Sequence, residues 1–218
     1  MAASEWERWH RGYDEPGSSQ QRRLERVRAR VARALDEQPA GPVAVLSMCA
    51  GQGRDLVPVL ATHPRRDDVR ALLVELDPVN AAAAGAAVRE AGLAGVTVRA
   101  GDASVTAAYA DIVPVGLALV CGVFGNIPDD DVRRTVRSLP TLLRPGATVV
   151  WTRHRLAPDL TPSIMDWFAG AGFERVGYDT EVGYRYGVGV HRLVAGPRPF
   201  DPGITLFRFD GDGAEASR

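Results

Sequence analysis

Residues 43–55 read VAVLSMCAGQGRD, an apolar run that passes into a turn with two glycines. A short uncharged run bounded by a turn is typical of a buried strand. Gly51 and Gly53 let the backbone approach a ligand closely, and a helix predicted to begin at Asp55 would present free N–H groups to that ligand. The stretch therefore predicts a strand, a ligand-binding loop and a helix, in that order.

The alternation of strands and helices continues along most of the chain. Strands are predicted at 43–47, 70–75, 96–100, 117–121, 147–152, 173–178 and 187–194, helices at 19–38, 55–62, 79–91, 129–143 and 161–170, and an edge strand at 204–209. This alternation predicts an α/β fold, a mostly parallel sheet with helices on both faces. We expect an N-terminal arm and helix over residues 1–40 that caps the site, and one α/β domain over residues 41–218.

The composition excludes several classes of protein. All 26 basic residues are Arg, so enzymes that need a Schiff-base lysine, a lysine-bound pyridoxal phosphate or a Walker lysine are excluded. The formal net charge of −1 favours neither nucleic acid nor membrane as a partner. The arginines of the first helix (Arg22, Arg23, Arg26, Arg28, Arg30 and Arg33) are interpreted as a solvated face. With only Cys49 and Cys121 and no apolar leader, we expect a cytoplasmic protein.

Two acids follow later strands of the predicted sheet. Glu75 ends the second strand, and an acid about 20 residues after a glycine turn can accept both hydroxyls of a ribose. Asp102, in Gly101-Asp102-Ala103 after the third strand, can accept from an adenine amino group. Taken singly, Glu75 could be a solvated strand-end charge and Asp102 a helix-capping turn residue. Their order and spacing after the glycine turn favour a nucleoside site.

Together these segments resemble the ordered motifs of class I S-adenosylmethionine-dependent methyltransferases of the bacterial small-molecule type. LSMCAGQG (46–53) is similar to the family's V-L-D-x-G-x-G-x-G, and VELDP (74–78) to the ribose motif of catechol O-methyltransferases and spermidine synthases. RAGDA (99–103) matches the adenine motif, and RPGA (144–147) the turn before the fifth strand. The resemblance spans residues 40–195. It implies a Rossmann-like fold with a seven-stranded sheet and S-adenosylmethionine as cofactor.

The resemblance also implies which residues contact the cofactor. They are Ala50, Gly51, Gln52, Gly53, Glu75, Leu76, Gly101, Asp102, Ala103, Cys121 and Gly122. Two positions depart from the family: Ser47 stands where the family has an acid, and Cys49 where it has its first glycine. In the family that acid supports the glycine loop and helps to place the methionine amino group. Because Ser47 carries no charge, we expect backbone carbonyls near Cys121 and Gly122 to hold the ammonium.

The candidate catalytic residues come from the loops after the fourth and fifth strands and from the arm. They are His154 and Asn126, with Tyr13 and His10 as second choices. Arg153 and Arg155 flank His154 and lower its pKa, which favours the neutral imidazole that a base requires. His154 could instead be a surface residue, and either arginine could clamp a substrate carboxylate. No acid occurs in residues 121–126 or 153–155, so no metal is expected.

The leading interpretation is a metal-independent methyltransferase that acts on a small-molecule acceptor. One alternative keeps the cofactor but changes the chemistry to cyclisation or aminocarboxypropyl transfer. The other is a non-catalytic binding protein with the same fold, an alternative that Ser47 keeps open. No feature of the sequence specifies an oligomeric state.

Overall fold

The sheet has seven strands in the part of the chain that the computed structural model describes, residues 13, 15, 17–180 and 185–209. The strands are β1 (Val43–Met48), β2 (Val69–Glu75), β3 (Val96–Ala100), β4 (Val115–Val120), β5 (Leu143–His154), β6 (Phe173–Asp179) and β7 (Tyr186–Leu193). They lie in the order β3-β2-β1-β4-β5-β7-β6, and only β7 runs antiparallel to its neighbours. The prediction of a mostly parallel, seven-stranded Rossmann-like sheet is confirmed.

Helices cover both faces of this sheet. They are α1 (Ser19–Asp36), α2 (Val57–Thr62), α3 (Pro78–Glu90), α4 (Asp129–Ser138) and α5 (Thr161–Gly170), with 3₁₀ turns at Arg66–Asp68, Thr106–Tyr109 and Leu139–Thr141. Alternate side chains of each strand point to opposite faces. One core therefore lies beneath α4 and α5 and contains Trp151, and the other lies beneath α1, α2 and α3.

Helix α1 is an integral layer of this fold. Ser18 caps it by accepting a hydrogen bond from the Gln21 N–H at 3.0 Å, and its apolar side chains join the same core as β1 and β4. The interpretation of its arginines as a solvated face is wrong for two of them. Arg23 is only 8% exposed, and Arg30 holds Asp179 of β6 through two hydrogen bonds of 2.5 and 2.6 Å. The proposed boundary at residue 40 stays a prediction.

The C-terminal segment 204–209 is not the edge strand that its alternation predicts. It makes one isolated bridge, between Val105 and Thr205. Leu206 and Phe207 are fully buried against the core beneath α4, and the Leu206 carbonyl accepts from the Thr135 hydroxyl at 3.0 Å. Because the adjacent Leu206 and Phe207 are both buried, the burial of this segment does not follow its alternation; the segment packs on a helix and a loop.

The strand order reverses between β1 and β4, which are parallel neighbours with Ser47 opposite Leu119. In sheets of this kind ligands bind beyond the carboxyl ends of the strands at such a switch point. The loops that follow β1, β2, β3, β4 and β5 therefore meet along one edge. No helix among the described residues is long and apolar enough to cross a membrane.

Candidate cofactor and acceptor site

The loop after β1 owes its shape to three residues with left-handed backbone, Cys49 (φ 50°), Gly51 (φ 54°) and Gly53 (φ 72°). A Cβ on Gly53 would lie 2.9 Å from Val57 Cγ2 and 3.1 Å from Leu73 Cδ2, whereas one on Gly51 would meet nothing within 4 Å. Gly53 is therefore required by packing, and Gly51 faces open space beside the strand ends. A left-handed Cys49 is uncommon for a residue with a Cβ, yet here it takes the conformation that the motif requires.

Glu75 lies at the end of β2, only 9% exposed. Its carboxylate accepts hydrogen bonds from the Gly51 N–H at 2.7 Å and from the Asp77 N–H at 2.9 Å. The acid therefore anchors the glycine loop to the turn after β2, a role that sequence reasoning did not assign. A carboxylate has about four lone-pair sites, so both oxygens keep capacity for ribose hydroxyls, and that contact stays a prediction.

The loop after β3 closes the other side of this pocket. The Gly101 N–H donates to the Glu75 carbonyl at 2.9 Å, and Asp102 accepts from the Ser104 N–H at 2.7 Å. Asp102 thus makes the turn contact considered as an alternative, while its side chain stays exposed. Burial raises the pKa of the Cys49 thiol, and the negative charges of Glu75 and Asp102 raise it further. The two acids therefore lie close enough to the same thiol to act on it together.

An apolar surface flanks the two acids. Leu76 is 62% exposed and Val79 is 73% exposed. Ala103, by contrast, is buried, and its carbonyl accepts from the Tyr109 hydroxyl. Gln52 donates to the Asn80 side chain at 3.3 Å, which joins the glycine loop to α3. Exposed aliphatic side chains beside hydrogen-bonding acids suit a flat heteroaromatic ring joined to a sugar, so these residues fit a nucleoside.

A cluster of polar side chains lies where the glycine loop meets α1 and β4. The Cys121 thiol donates to the Val150 carbonyl at 3.8 Å. Burial raises the pKa of this thiol, and the nearby Asp55 charge raises it further. Burial raises the pKa of Asp55, while the nearby Arg23 and Arg28 act to lower it. The sequence analysis considered Asp55 only as the predicted start of the second helix. The available signal was an acid directly after the glycine turn.

Tyr13 packs into the same cluster. Arg23 donates to its hydroxyl, and its ring lies 5.5 Å from the Arg23 guanidinium and 5.6 Å from that of Arg54. Arg23 also lies 5.2 Å from the ring of Tyr186, which pairs with His154 across β5 and β7. Burial raises the pKa of Tyr13. The structure therefore brings Tyr13 to the edge of the sheet that carries the site, while His10 lies outside the described residues.

The loop after β4 is held by its own polar groups. The Gly122 N–H donates to the Thr152 hydroxyl at 2.9 Å, and the Gly122 carbonyl accepts from the Asn126 amide at 2.6 Å. The Gly122 carbonyl keeps its second lone pair, and the role of the backbone carbonyls near Cys121 and Gly122 toward an ammonium stays a prediction. Asn126 fixes this loop through its amide nitrogen, and a direct role toward an acceptor stays a prediction for its oxygen.

His154 ends β5, partly buried, with its ring against the β4 loop: a Cβ on Gly125 would lie 3.1 Å from its Cδ2. Burial lowers the pKa of His154, Arg153 lowers it further, and Asp159 and Asp129 oppose the shift. Its Nδ1 is buried without a hydrogen-bond partner among the described residues. The expected lowering of this pKa is therefore present, but burial is its main cause.

The two arginines beside His154 make contacts within the protein, and the alternative of a carboxylate clamp stays a prediction. Arg153 donates to the Phe124 carbonyl and to Asp129 at 3.3 Å. Arg155 donates to Asp159 at 2.9 Å and to the Thr180 hydroxyl at 2.8 Å. Asp129 lies after residues 121–126 and Asp159 after residues 153–155, and each acid pairs with an arginine. No cluster of metal-ligating side chains occurs in the described part of the chain.

Comparison with known proteins agrees with this geometry. A family model described as "Putative methyltransferase" matches residues 18–165. No curated protein matches the chain. Among solved structures, magnesium protoporphyrin IX methyltransferase from Synechocystis PCC 6803 with bound SAH superposes with a TM-score of 0.66 at 13% identity, over 87% of this chain and 94% of that one.

Two structures from Burkholderia thailandensis are also similar. The 1,6-didemethyltoxoflavin-N1-methyltransferase with bound S-adenosylhomocysteine gives a TM-score of 0.60 at 18% identity, covering 79% of this chain and 78% of that one. An O-methyltransferase family protein gives a TM-score of 0.60 at 17% identity, covering 78% of this chain. The present chain spans only 57% of the latter protein.

These likenesses establish the fold, and the family model covers more than half of the chain. The resemblance inferred from the sequence is therefore confirmed: the chain belongs to this methyltransferase family and has the class I methyltransferase fold.

Proposed function

We propose that the protein is an S-adenosylmethionine-dependent methyltransferase that acts on a small-molecule acceptor without a metal. The observation that carries this proposal is the convergence of the glycine loop, Glu75 and Asp102 at the same sheet edge as His154. The cofactor supplies a methyl group already activated on a sulfonium. The chain's residues then need to bind and align the cofactor and the acceptor and to exclude water. Alignment of two reactants can lower the activation barrier by roughly 7–11 kcal/mol.

On the cofactor side, each residue has a role that its surroundings support. Glu75 accepts the ribose hydroxyls, Leu76 packs on the adenine, and Asp102 with the adjacent Ala103 backbone hydrogen-bonds to the ring edge. The backbone of the glycine loop, Ala50, Gly51, Gln52 and Gly53, approaches the ligand, because nothing stands within 4 Å of a Cβ on Gly51. Gly101, Cys121 and Gly122 complete the lining.

On the acceptor side, His154 takes a proton from the acceptor or orients it. Its lowered pKa keeps the imidazole neutral near pH 7, the form that a general base requires. Asn126 shapes the neighbouring loop through its bond to Gly122. Tyr13 covers the site from the α1 side, with the guanidinium groups of Arg23 and Arg54 5.5 and 5.6 Å from the centre of its ring.

A small, soluble acceptor fits the remaining observations. The chain carries a net charge of −1, which favours no polyanion. Two similar structures are named as methyltransferases of magnesium protoporphyrin IX and of 1,6-didemethyltoxoflavin, both small molecules. Cys49 and Cys121 are both free thiols, consistent with a cytoplasmic enzyme. We infer no nucleic-acid or membrane partner.

Calorimetric titration with S-adenosylhomocysteine tests the cofactor half of the proposal. Saturable binding is expected, and no binding would overturn the proposal. Incubation with methyl-labelled cofactor and panels of phenols, amines and carbon acids tests the chemistry. Release of S-adenosylhomocysteine with a methylated product is expected. Release of methylthioadenosine would instead identify aminocarboxypropyl transfer, and binding with no product from any panel would favour the non-catalytic alternative.

A further inference from the structure

The chain continues past the last strand of the sheet and returns to the edge that carries the site. Residues 204–208, which we call the C-terminal strap, run between the loop after β3 and the first turn of α4. The Leu206 N–H donates to the Ser104 carbonyl at 2.7 Å, and the Arg208 N–H donates to the Asp131 carboxylate at 2.8 Å. The strap therefore joins two segments that follow the carboxyl ends of strands.

On the β3 side a fully buried threonine, Thr106, holds the strap. Its N–H donates to the Ile204 carbonyl at 3.0 Å, and its hydroxyl accepts from the Ile204 N–H at 3.1 Å and donates to the Asp201 carbonyl at 2.6 Å. Val105 and Thr205 face each other as an antiparallel bridge. The strap is thus fixed along the residues that directly follow the turn after β3.

The apolar side chains of the strap belong to the core that supports the site. The connection from β3 to β4, described throughout, contains the 3₁₀ turn Thr106–Tyr109 and no α-helix. Leu206 and Phe207 of the strap are fully buried, in the same core as Met48 and Val74 near the ends of β1 and β2. The strap therefore packs beneath the strand ends that lead into the site.

One residue connects the strap to the acid after β3. The Ser104 carbonyl accepts from the Leu206 N–H, and the Ser104 N–H donates to the Asp102 carboxylate, both at 2.7 Å. Asp102 is itself exposed, so its orientation depends on this hydrogen bond. A side chain that is held in place before a ligand arrives loses less conformational entropy on binding. Because the strap holds Ser104, it also determines how well Asp102 is held.

We propose that the C-terminal strap is a positioning element of the ligand site, which holds Ser104 so that Asp102 meets the 6-amino group of the cofactor's adenine. This inference rests on the proposed function, because it concerns the same cofactor. The strap lies outside residues 18–165, which the family model matches. A competing interpretation makes the strap a cover of the core, which affects every ligand alike.

Calorimetry with two ligands separates these interpretations. The ligands are S-adenosylhomocysteine and its analogue whose purine lacks the 6-amino group. The wild-type protein is expected to prefer the amino ligand by at least about tenfold, the effect of one hydrogen bond to a charged group. The double variant Thr106→Val/Thr135→Val removes the hydroxyls that bind the strap on its two sides. It should reduce the preference to below about threefold by weakening mainly the amino ligand.

Thr141→Val is the matched control. The Thr141 hydroxyl is buried and donates to the Ser138 carbonyl at 2.8 Å, at a 3₁₀ turn that follows α4. The same substitution there removes a buried hydrogen bond without touching the strap, so the wild-type preference should remain.

Each result decides for or against the strap. The inference is overturned by an unchanged preference in the double variant, by an equal loss of affinity for both ligands, or by a wild-type preference below about threefold. If the double variant does not fold, hydrogen exchange of the wild type decides. S-adenosylhomocysteine should slow exchange of the Leu206 N–H more than that of the Val194 N–H, which donates to the Gly172 carbonyl at 3.0 Å beside β6. Equal slowing overturns the inference, whereas failure of the wild type to bind either ligand would refute the proposed function itself.

Discussion

Replacement of Glu75 tests whether its carboxylate both anchors the glycine loop and binds the ribose hydroxyls. Its two oxygens accept from the Gly51 and Asp77 N–H groups at 2.7 and 2.9 Å, and the residue is 9% exposed. Hydrogen bonds to a charged group contribute about 1.5–3 kcal/mol each. Glu75→Gln keeps one acceptor and turns an amide donor toward the other N–H, so the free energy of unfolding should fall by about 1.5–3 kcal/mol. Glu75→Ala removes both bonds and should lower it by about twice as much.

The ribose contact should appear as a separate loss of ligand affinity. Glu75→Ala is expected to weaken S-adenosylhomocysteine by at least about tenfold, or about 1.4 kcal/mol. The 2′-deoxy analogue should lose less, because it lacks one of the two hydroxyls. Urea denaturation gives the stability, and calorimetry at a temperature where every variant is folded gives the affinity.

Asp77→Asn is the matched control for both measurements. It removes a carboxylate two residues away, while the Asn oxygen can still cap α3 as Asp77 does by accepting from the Val79 N–H at 2.8 Å. If Glu75→Ala loses stability as expected but binds both ligands as tightly as wild type, Glu75 is only a loop anchor and the ribose assignment is refuted. If the free energy of unfolding is unchanged in Glu75→Ala, the two hydrogen bonds that Glu75 accepts do not contribute the stability assigned to them.

Four further outcomes can be measured. His154→Ala should lower turnover by about 10²–10⁴-fold and leave S-adenosylhomocysteine affinity unchanged; near-wild-type turnover would make His154 a surface residue. Activity should survive EDTA, and loss that Mg²⁺ restores would show a metal site. Gly53→Ala should destabilise the fold more than Gly51→Ala, because a Cβ at position 53 would lie 2.9 Å from another side chain and one at position 51 would meet nothing within 4 Å. Gly51→Ala should mainly weaken ligand binding. The reverse pattern, in melting temperature and in calorimetric affinity, would contradict the loop geometry. Burial and Arg175 lower the pKa of His191 from 6.5 to about 4. The unfolded chain therefore binds this proton first, and up to about 3 kcal/mol of the free energy of unfolding is lost as the pH falls from 6.5 to 4. In urea denaturation His191→Gln should lose less stability over this pH range than the wild type, and equal losses would contradict the role of His191.

Local patterns were sufficient wherever a residue's role depends on its own chain neighbours. The β3 and α5 bounds, Val96–Ala100 and Thr161–Gly170, agree with the predicted segments. Local contacts adjoin both: Asp102 accepts from the Ser104 N–H after β3, and Asp159 accepts from the Thr161 N–H where α5 begins. By contrast, the predicted strand at 204–209 failed. Period-two alternation predicts one buried side, but the adjacent Leu206 and Phe207 are both buried by contacts with distant parts of the chain, which the pattern does not contain.

The roles of individual charged side chains depended on contacts between distant segments. Arg23 belongs to a helix with many arginines, and only the packing of α1 on the glycine loop distinguishes its buried side chain from its exposed neighbours. The contacts of Arg153 with the Phe124 carbonyl and with Asp129 join segments that are far apart along the chain.

The sequence by itself determined the fold class, the glycine loop and the acids that end β2 and follow β3, because periodicity, turn chemistry and order along the chain are local properties. Only the tertiary structure decided which polar groups are already satisfied and which remain to meet a ligand. Glu75 was found to accept from the Gly51 N–H, and Asn126 to donate to the Gly122 carbonyl. The physical reason is that a hydrogen bond or a desolvated charge depends on atoms a few ångströms apart in space, and packing alone brings those atoms together.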